Sequence, residues 1–162
     1  MAQASTKGGT TGQSAGVRVI LFQVAGKSFA VDLALVDQIV EYREPTRTPR
    51  RPPYVDGVLE RRGFYFALVS LRRRFGLTEA GPPHQAVLLL TGVGSDPLVG
   101  LVVDQALRVL VLPPEGVLSP PPRVFGIRAE YIRGVANAGG RPIVWLDIVK
   151  VLKVTEPITL LA

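Results

Sequence analysis

The side chains that most often do chemistry are scarce in this chain. There is one histidine, His84, inside a Gly-Pro-Pro-His-Gln connector, and there is no cysteine. Without cysteine, disulfides, thiolate nucleophiles and iron–sulfur or zinc–thiolate sites are excluded. Ser-His-Asp catalysis would need His84 beside a serine on a sharp strand-to-helix turn and oriented by a third group, a constellation the pattern does not supply. Gly92-Val93-Gly94 offers two glycines of a phosphate loop but no third and no following helix. Ser95-Asp96-Pro97 after it reads as a hairpin turn. A lone histidine in a loop is ordinarily a solvated residue. Neither an enzyme nor a small-molecule substrate, a cofactor or a metal is expected.

The abundant chemical group is the guanidinium. Arginine supplies 15 of the 19 basic residues against 13 acidic ones, for a net charge of +6. The arginines gather in Arg43-x3-Arg47-x2-Arg50-Arg51, in Arg61-Arg62 and in Arg72-Arg73-Arg74. Clustered cations release counterions from phosphate, so a basic nucleic-acid-binding module is one reading. No recognition helix, zinc finger or aromatic stacking motif accompanies them, which makes nucleic acid the minor alternative. A solvated surface or a complement to acidic proteins explains the same charge.

Whatever these groups do, small β-rich elements must position them. The 162 residues are 47% apolar and 20% charged, enough for one compact domain or two small interlocked ones. Residues 1–16 are small and polar and read as a flexible tail. No run approaches the roughly 20 apolar residues of a membrane span, so no membrane insertion is expected and a cytoplasmic location is.

Two stretches then repeat at a constant offset of 77 residues. Tyr54-Val55-Asp56-Gly57-Val58 returns as Tyr131-Ile132-Arg133-Gly134-Val135, and Leu68-Val69-Ser70-Leu71 as Trp145-Leu146-Asp147-Ile148. A fainter echo at 67 brings Val36-Asp37-Gln38 back as Val103-Asp104-Gln105. Two similar halves with a groove or shared core between them follow, an arrangement better suited to holding partners than to catalysis.

Within the halves, Val17 to Val24 reads as a strand that turns at Gly26-Lys27 into Ser28 to Val31. Asp32 to Leu35 reads as one helical turn leading to a strand over Val36 to Tyr42. Gly57 to Leu71 offers two strands around Gly63, followed by a short helix that ends near Gly76. Val99 to Val103 and Leu107 to Leu112 are near-continuous apolar runs, the pattern of strands buried on both faces. Asp147 stands where it would cap a helix over Ile148 to Leu152. Many short strands with brief helices argue for small barrels and a mostly β fold.

In order, Phe22-x2-Ala25-Gly26-x2-Phe29-Ala30-Val31-Asp32, Gly57-Val58-x3-Arg62-Gly63, Val99 to Asp104 and Tyr131-Ile132-x-Gly134-Val135 to Leu146-Asp147 resemble the CheW family. These are adaptors of bacterial chemosensory systems. The resemblance covers residues 17–154, leaving 1–16 and 155–162 as terminal tails. It implies two interlocked five-stranded SH3-like β-barrels sharing a hydrophobic core. It also implies a non-enzymatic scaffold that couples chemoreceptor tips to the regulatory domain of a CheA-type histidine kinase, beside other CheW-like proteins in an array. Receptor contacts carry over to Val36, Arg62, Val87, Val103 and Val109, where an apolar groove would bury the apolar stripe of a helical hairpin. Each valine reads more readily as an ordinary core residue, and Arg62 reads equally as a structural bridge.

The surface that the resemblance assigns to the kinase, Gln38, Gly57, Val58, Glu60 and Arg61, departs from the family pattern. Where the family reads Gly-Val-x-Asn-Leu-Arg-Gly, this chain has Glu60 and Arg61 for Asn-Leu, and Gln38 replaces a common glutamate. Asn137 and Asp147, in the second block, stand at the positions of Glu60 and Ser70. Leucine to arginine adds a charge to an apolar place. The expected alternative is therefore an accessory CheW-like protein that binds receptors but docks the kinase weakly or not at all.

Overall fold

Runs of β-branched and aromatic residues between glycine turns form the strands in the computed structural model, which describes residues 16–49, 51–77, 79–91, 98–153, 158 and 160. β1 (Val17–Val24) turns at Ala25-Gly26 into β2 (Lys27–Asp32), and one 3₁₀ turn, Leu33–Leu35, leads to β3 (Val36–Glu41). β4 (Val55–Arg61), β5 (Phe64–Ser70) and α1 (Leu71–Arg74) follow, then β6 (Ala86–Leu90), β7 (Leu98–Val103) and β8 (Gln105–Leu112). Next come a two-residue pair, β9 (Arg123–Val124) and β10 (Ile127–Arg128), then β11 (Ile132–Ala138), β12 (Arg141–Leu146) and α2 (Ile148–Lys153). The Gly92–Gly94 and Ser95–Pro97 readings, and the N-terminal tail up to residue 15, lie outside the described residues.

Two five-stranded sheets result, in the orders β11-β12-β2-β1-β8 and β3-β6-β7-β5-β4. The N-terminal hairpin thus shares a sheet with the C-terminal strands. The chain crosses to the other sheet after β2 and returns after β7, which interlocks the halves. Each sheet closes on itself through one backbone bridge between the segment leaving one edge and the strand at the other. Thr46 and Val58 exchange hydrogen bonds of 2.9 and 2.8 Å, and Leu118 and Val135 exchange two of 2.9 Å. A Cβ on Gly57 would collide with the Thr46 carbonyl, and one on Gly134 with the Val117 side chain. The repeated glycine is there because the closing segment crosses directly over it.

The 77-residue repeat is a repeat of pairing. β4–β5 and β11–β12 have the same register, each with a bulge beside the repeated glycine, and β5 runs parallel to β7 as β12 does to β2. Ile143 pairs with Ser28 while its counterpart Phe66 pairs with Leu98, so Ser28 and Leu98 are equivalent at an offset of 70. The echo shortens to 67 at Val36 and Val103 because the three residues of the 3₁₀ turn, Leu33–Leu35, have no counterpart between β7 and β8.

Between the barrels lies one shared core. It draws Ile20, Phe22, Phe29 and Val31 from the first, Leu88, Leu101 and Val103 from the second, and Leu71, Phe75, Ile148 and Val151 around the helices. Phe29 stacks between Phe22 and Phe75 at centroid distances of 5.8 and 5.5 Å. Smaller clusters fill each barrel, one around Leu21, Ile143 and Trp145 and one around Phe66, Leu68, Val87 and Leu89. Ile158 and Leu160, in the stretch read as a terminal tail, are buried in the shared core, and the Leu160 N–H donates to the Phe75 carbonyl at 2.9 Å.

The helices are joined across the repeat. Ser70 Oγ accepts from the Arg73 N–H at 3.3 Å and Asp147 Oδ1 from the Lys150 N–H at 3.2 Å, the same N-cap in both blocks. Arg74 is buried and its Nε donates to the carbonyl of Val151, its own counterpart 77 residues on, at 2.9 Å.

One expectation fails. β7 is buried on both faces, but β8 is not: Leu107, Val109 and Val111 are 37, 52 and 48% exposed. β8 is the last strand of its sheet, paired only with β1, and a bulge in that pairing falls opposite Leu21/Phe22. An apolar run without alternation describes a central strand and an exposed edge equally well.

Candidate docking surfaces

The candidate residues fall on different layers of the second barrel and on the outer edge of the first. Val87 has no exposed surface and packs with Phe66, Leu68, Leu89 and Val102; Val103 is likewise buried in the shared core. Of the two readings open to these valines, the interior one describes their place: burying them is the work of the fold. Val36 is half-buried at the start of β3, opposite Leu90. Val109 projects from β8 with Leu107 and Val111. Arg62 is exposed at the tip of the β4–β5 hairpin with φ 52°. The structure does not gather these five into one groove. Of the five, only Val109 belongs to the exposed apolar stripe on β8.

The second set does come together. β3 and β4 are the two edges of their sheet, and where the barrel closes Arg61 Nε donates to Gln38 Oε1 at 3.1 Å. Two of the departures from the family pattern are therefore partners of each other. The third is structurally silent: Glu60 Oε2 accepts from the Gly63 N–H at 2.8 Å, as Asn137 Oδ1 does from Gly140 at 3.1 Å. Gly57 is buried under Thr46, and Val58 is the residue that forms the bridge to it.

Most of the arginine clusters are engaged internally. Arg72 forms a bidentate pair with Asp104, both bonds 2.7 Å, and the same carboxylate accepts the Ala25 N–H at 2.8 Å. Asp104 stands at the crossover from β7 to β8, so this contact pins α1 to both barrels. The hydrogen bond to Asp104 raises the Arg72 pKa still further above its ordinary value. Arg73 lies 3.6 Å from Asp56, Arg74 is buried, and Arg51 donates to the Val55 and Thr48 carbonyls. Tyr42 donates to Asp56 at 3.3 Å; burial first, then the negative charges of Asp56 and Glu44, push its hydroxyl up to about 12. A cleft of about 720 Å³ beside the Arg72–Asp104 pair is lined by Gln23, Gly26, His84 and Gln105.

His84 is exposed at that cleft, and among the described residues that line it there is no serine, threonine or cysteine. Gly12-Gln13-Ser14-Ala15-Gly16 spells a nucleophile elbow, but it is followed by β1 where the elbow requires a helix. Among the described residues no group of three His, Asp or Glu could hold a metal ion, and no helix is long and apolar enough to cross a membrane.

Two interlocked five-stranded barrels thus present exposed apolar and charged edges. Residues 18–156 match the CheW-like domain model, and the chain belongs to that family. It is 31% identical to the chemotaxis protein CheW of Treponema pallidum, covering 86% of this chain and 84% of that one. It is 27% identical to the chemotaxis protein CheW of Klebsiella aerogenes, over 96 and 93%. The scaffolding protein TtCheW of Thermoanaerobacter tengcongensis has the same fold, with a TM-score of 0.77 at 21% identity over 88% of this chain and 92% of that one.

Proposed function

We propose that the chain is a non-enzymatic coupling adaptor of a bacterial chemosensory array, joining chemoreceptor tips to a CheA-type histidine kinase in the cytoplasm. Membership of the CheW-like family supports the role, and the exposed stripe on β8 is the observation that carries the receptor half of it. Leu107, Val109 and Val111 form an apolar strip of the kind a helical hairpin covers with its own stripe. Val36, Val87 and Val103, which the resemblance also assigns to the receptor, belong to the other sheet, and Arg62 to the tip of its β4–β5 hairpin. The kinase half falls on Gln38, Gly57, Val58, Glu60 and Arg61.

The accessory-adaptor reading loses its main support, because Glu60 performs the turn bond of Asn137 and the Arg61 charge has a hydrogen-bond partner in Gln38. The divergence is a repacked surface, compatible with retained coupling. The nucleic-acid reading weakens too, since Arg51, Arg72, Arg73 and Arg74 are held by protein groups.

Calorimetric titration with the regulatory domain of the organism's own CheA-type kinase tests the kinase half. One-to-one binding is expected; a folded protein that does not bind would make it an accessory adaptor. For the receptor half, Val109→Asp should weaken binding of a receptor cytoplasmic fragment about tenfold or more while leaving the kinase titration unchanged.

A further inference from the structure

The two repeated hairpins have one backbone and two different tips. In the β4–β5 hairpin the turn is Arg62-Gly63, with φ 52° and 82°, flanked by Arg61 paired with Phe64 and Glu60 paired with Tyr65. In the β11–β12 hairpin it is Gly139-Gly140, with φ 59° and 81°, flanked by Ala138 paired with Arg141 and Asn137 paired with Pro142. The fold is satisfied by small residues and a proline at the second tip. At the first it carries two aromatics that are 61 and 64% exposed, more than the three apolar residues of β8. Neither aromatic supports the core: both precede the point where β5 begins to pair with β7, at Phe66 and Leu98.

The charge at this tip is also unspent. Arg62 has no ion pair or hydrogen bond among the described residues, and the Arg61 guanidinium is held only by the neutral Gln38. Aromatic rings beside arginine are the composition of a binding hot spot, where the ring fills an apolar recess and the guanidinium meets a carboxylate. Successive residues of a strand face opposite ways, so Phe64 and Tyr65 cannot serve as one stacking platform for nucleotide bases. They fit a recess that grips both faces of the hairpin.

We propose that the tip formed by Arg61, Arg62, Phe64 and Tyr65 docks into an acidic, apolar-lined recess of the CheA-type kinase's regulatory domain and supplies this chain's partner specificity. The proposal rests on the coupling function above, and its continuity with that surface is direct: Arg61 belongs to both, and Glu60 pairs with Tyr65 at the tip.

The chain provides its own control for the test. Exchanging the tip for its twin, by Arg61→Ala, Arg62→Gly, Phe64→Arg and Tyr65→Pro together, introduces residues already compatible with this register. Titrated with the kinase regulatory domain, the exchanged protein should bind at least about tenfold more weakly, and the steep salt dependence of the parent should flatten. Arg62→Gly alone separates docking from folding. Relieving the left-handed backbone should raise the melting temperature while binding falls, opposite signs that a purely structural arginine would not give. Should the exchanged tip fail to fold, Phe64→Ser with Tyr65→Ser carries the same expectation. Equal binding of parent and folded variant would overturn the docking tip and leave the adaptor function standing. No kinase binding by the parent would overturn both. Tip-dependent binding to vesicles of anionic lipid or to single-stranded DNA, with kinase binding unaffected, would overturn the protein partner in favour of that surface.

Discussion

The block from β4 to α1 and the block from β11 to α2 are folded alike to the level of single hydrogen bonds, yet they present different chemistry to solvent. Where the two agree, the fold is the reason: Gly57 and Gly134 admit the closing segment, Glu60 and Asn137 tie the turn, and Ser70 and Asp147 cap the helix. Where they differ, at Arg61, Arg62, Phe64 and Tyr65 against Ala138, Gly139, Arg141 and Pro142, one backbone accommodates both sets. A repeat inside one chain thus separates residues the architecture needs from residues it merely tolerates.

The sharpest way to break this comparison is to load both glycines. Gly57→Ala and Gly134→Ala should each destabilise by about 3 kcal/mol, combining overpacking with, at Gly57, a φ of 153°. Urea denaturation midpoints measure this, and a harmless substitution at either site would end the equivalence of the two closures. Arg74 comes next, because it joins the helices in one direction only; its counterpart is Val151. Arg74→Met should cost about 2 kcal/mol, since the Val151 carbonyl loses its charged donor in a dry site.

The Arg72–Asp104 clasp has no twin either, Val149 standing where Arg72 would repeat. A double-mutant cycle of Arg72→Met and Asp104→Asn should return a coupling of about 1 kcal/mol for this largely covered pair. A value near zero would mean the crossover is held by the core alone. Smaller still, Glu60→Asn should change stability by less than about 0.5 kcal/mol, because the replacement is the twin's own solution to the same turn.

How much of this was legible in the sequence follows from what repeats. The offset of 77 announced β4–β5–α1 and β11–β12–α2 because register, turn and cap each demand a residue type at a fixed position. The strand β8 was misread because periodicity reports alternation, and an edge strand that presents apolar residues outward has none to report. The burial of Val87 and Val103 was not legible for the converse reason: a core valine and a docking valine are the same residue in one dimension. The arginine runs looked like a single basic surface, but burial and pairing are tertiary facts; Arg72, Arg73 and Arg74 are neighbours in sequence with three different partners. Gln38 and Arg61 stood out as separate departures, and their hydrogen bond needed the barrel to close before it existed.

Asp56 gives the comparison its finest test. It lies next to Gly57, and its counterpart is Arg133, so the two blocks place opposite charges beside the repeated glycine. Asp56 holds the Tyr42 hydroxyl, whereas Arg133 pairs with Asp32 at 3.3 Å and lies over the Trp145 ring. Tyr42 should therefore titrate at about 12, against an ordinary value near 10, and ultraviolet absorbance at high pH reads it directly. The sign is definite. The folded state holds this proton more tightly than the unfolded chain, so the contribution to stability is whole below pH 10 and lost as pH rises toward 12. Asp56→Asn should lower the midpoint only part of the way, because burial is the larger cause and survives the substitution. A full return to the ordinary value would make the carboxylate the dominant cause, and no movement at all would detach Tyr42 from the charge that distinguishes the two blocks.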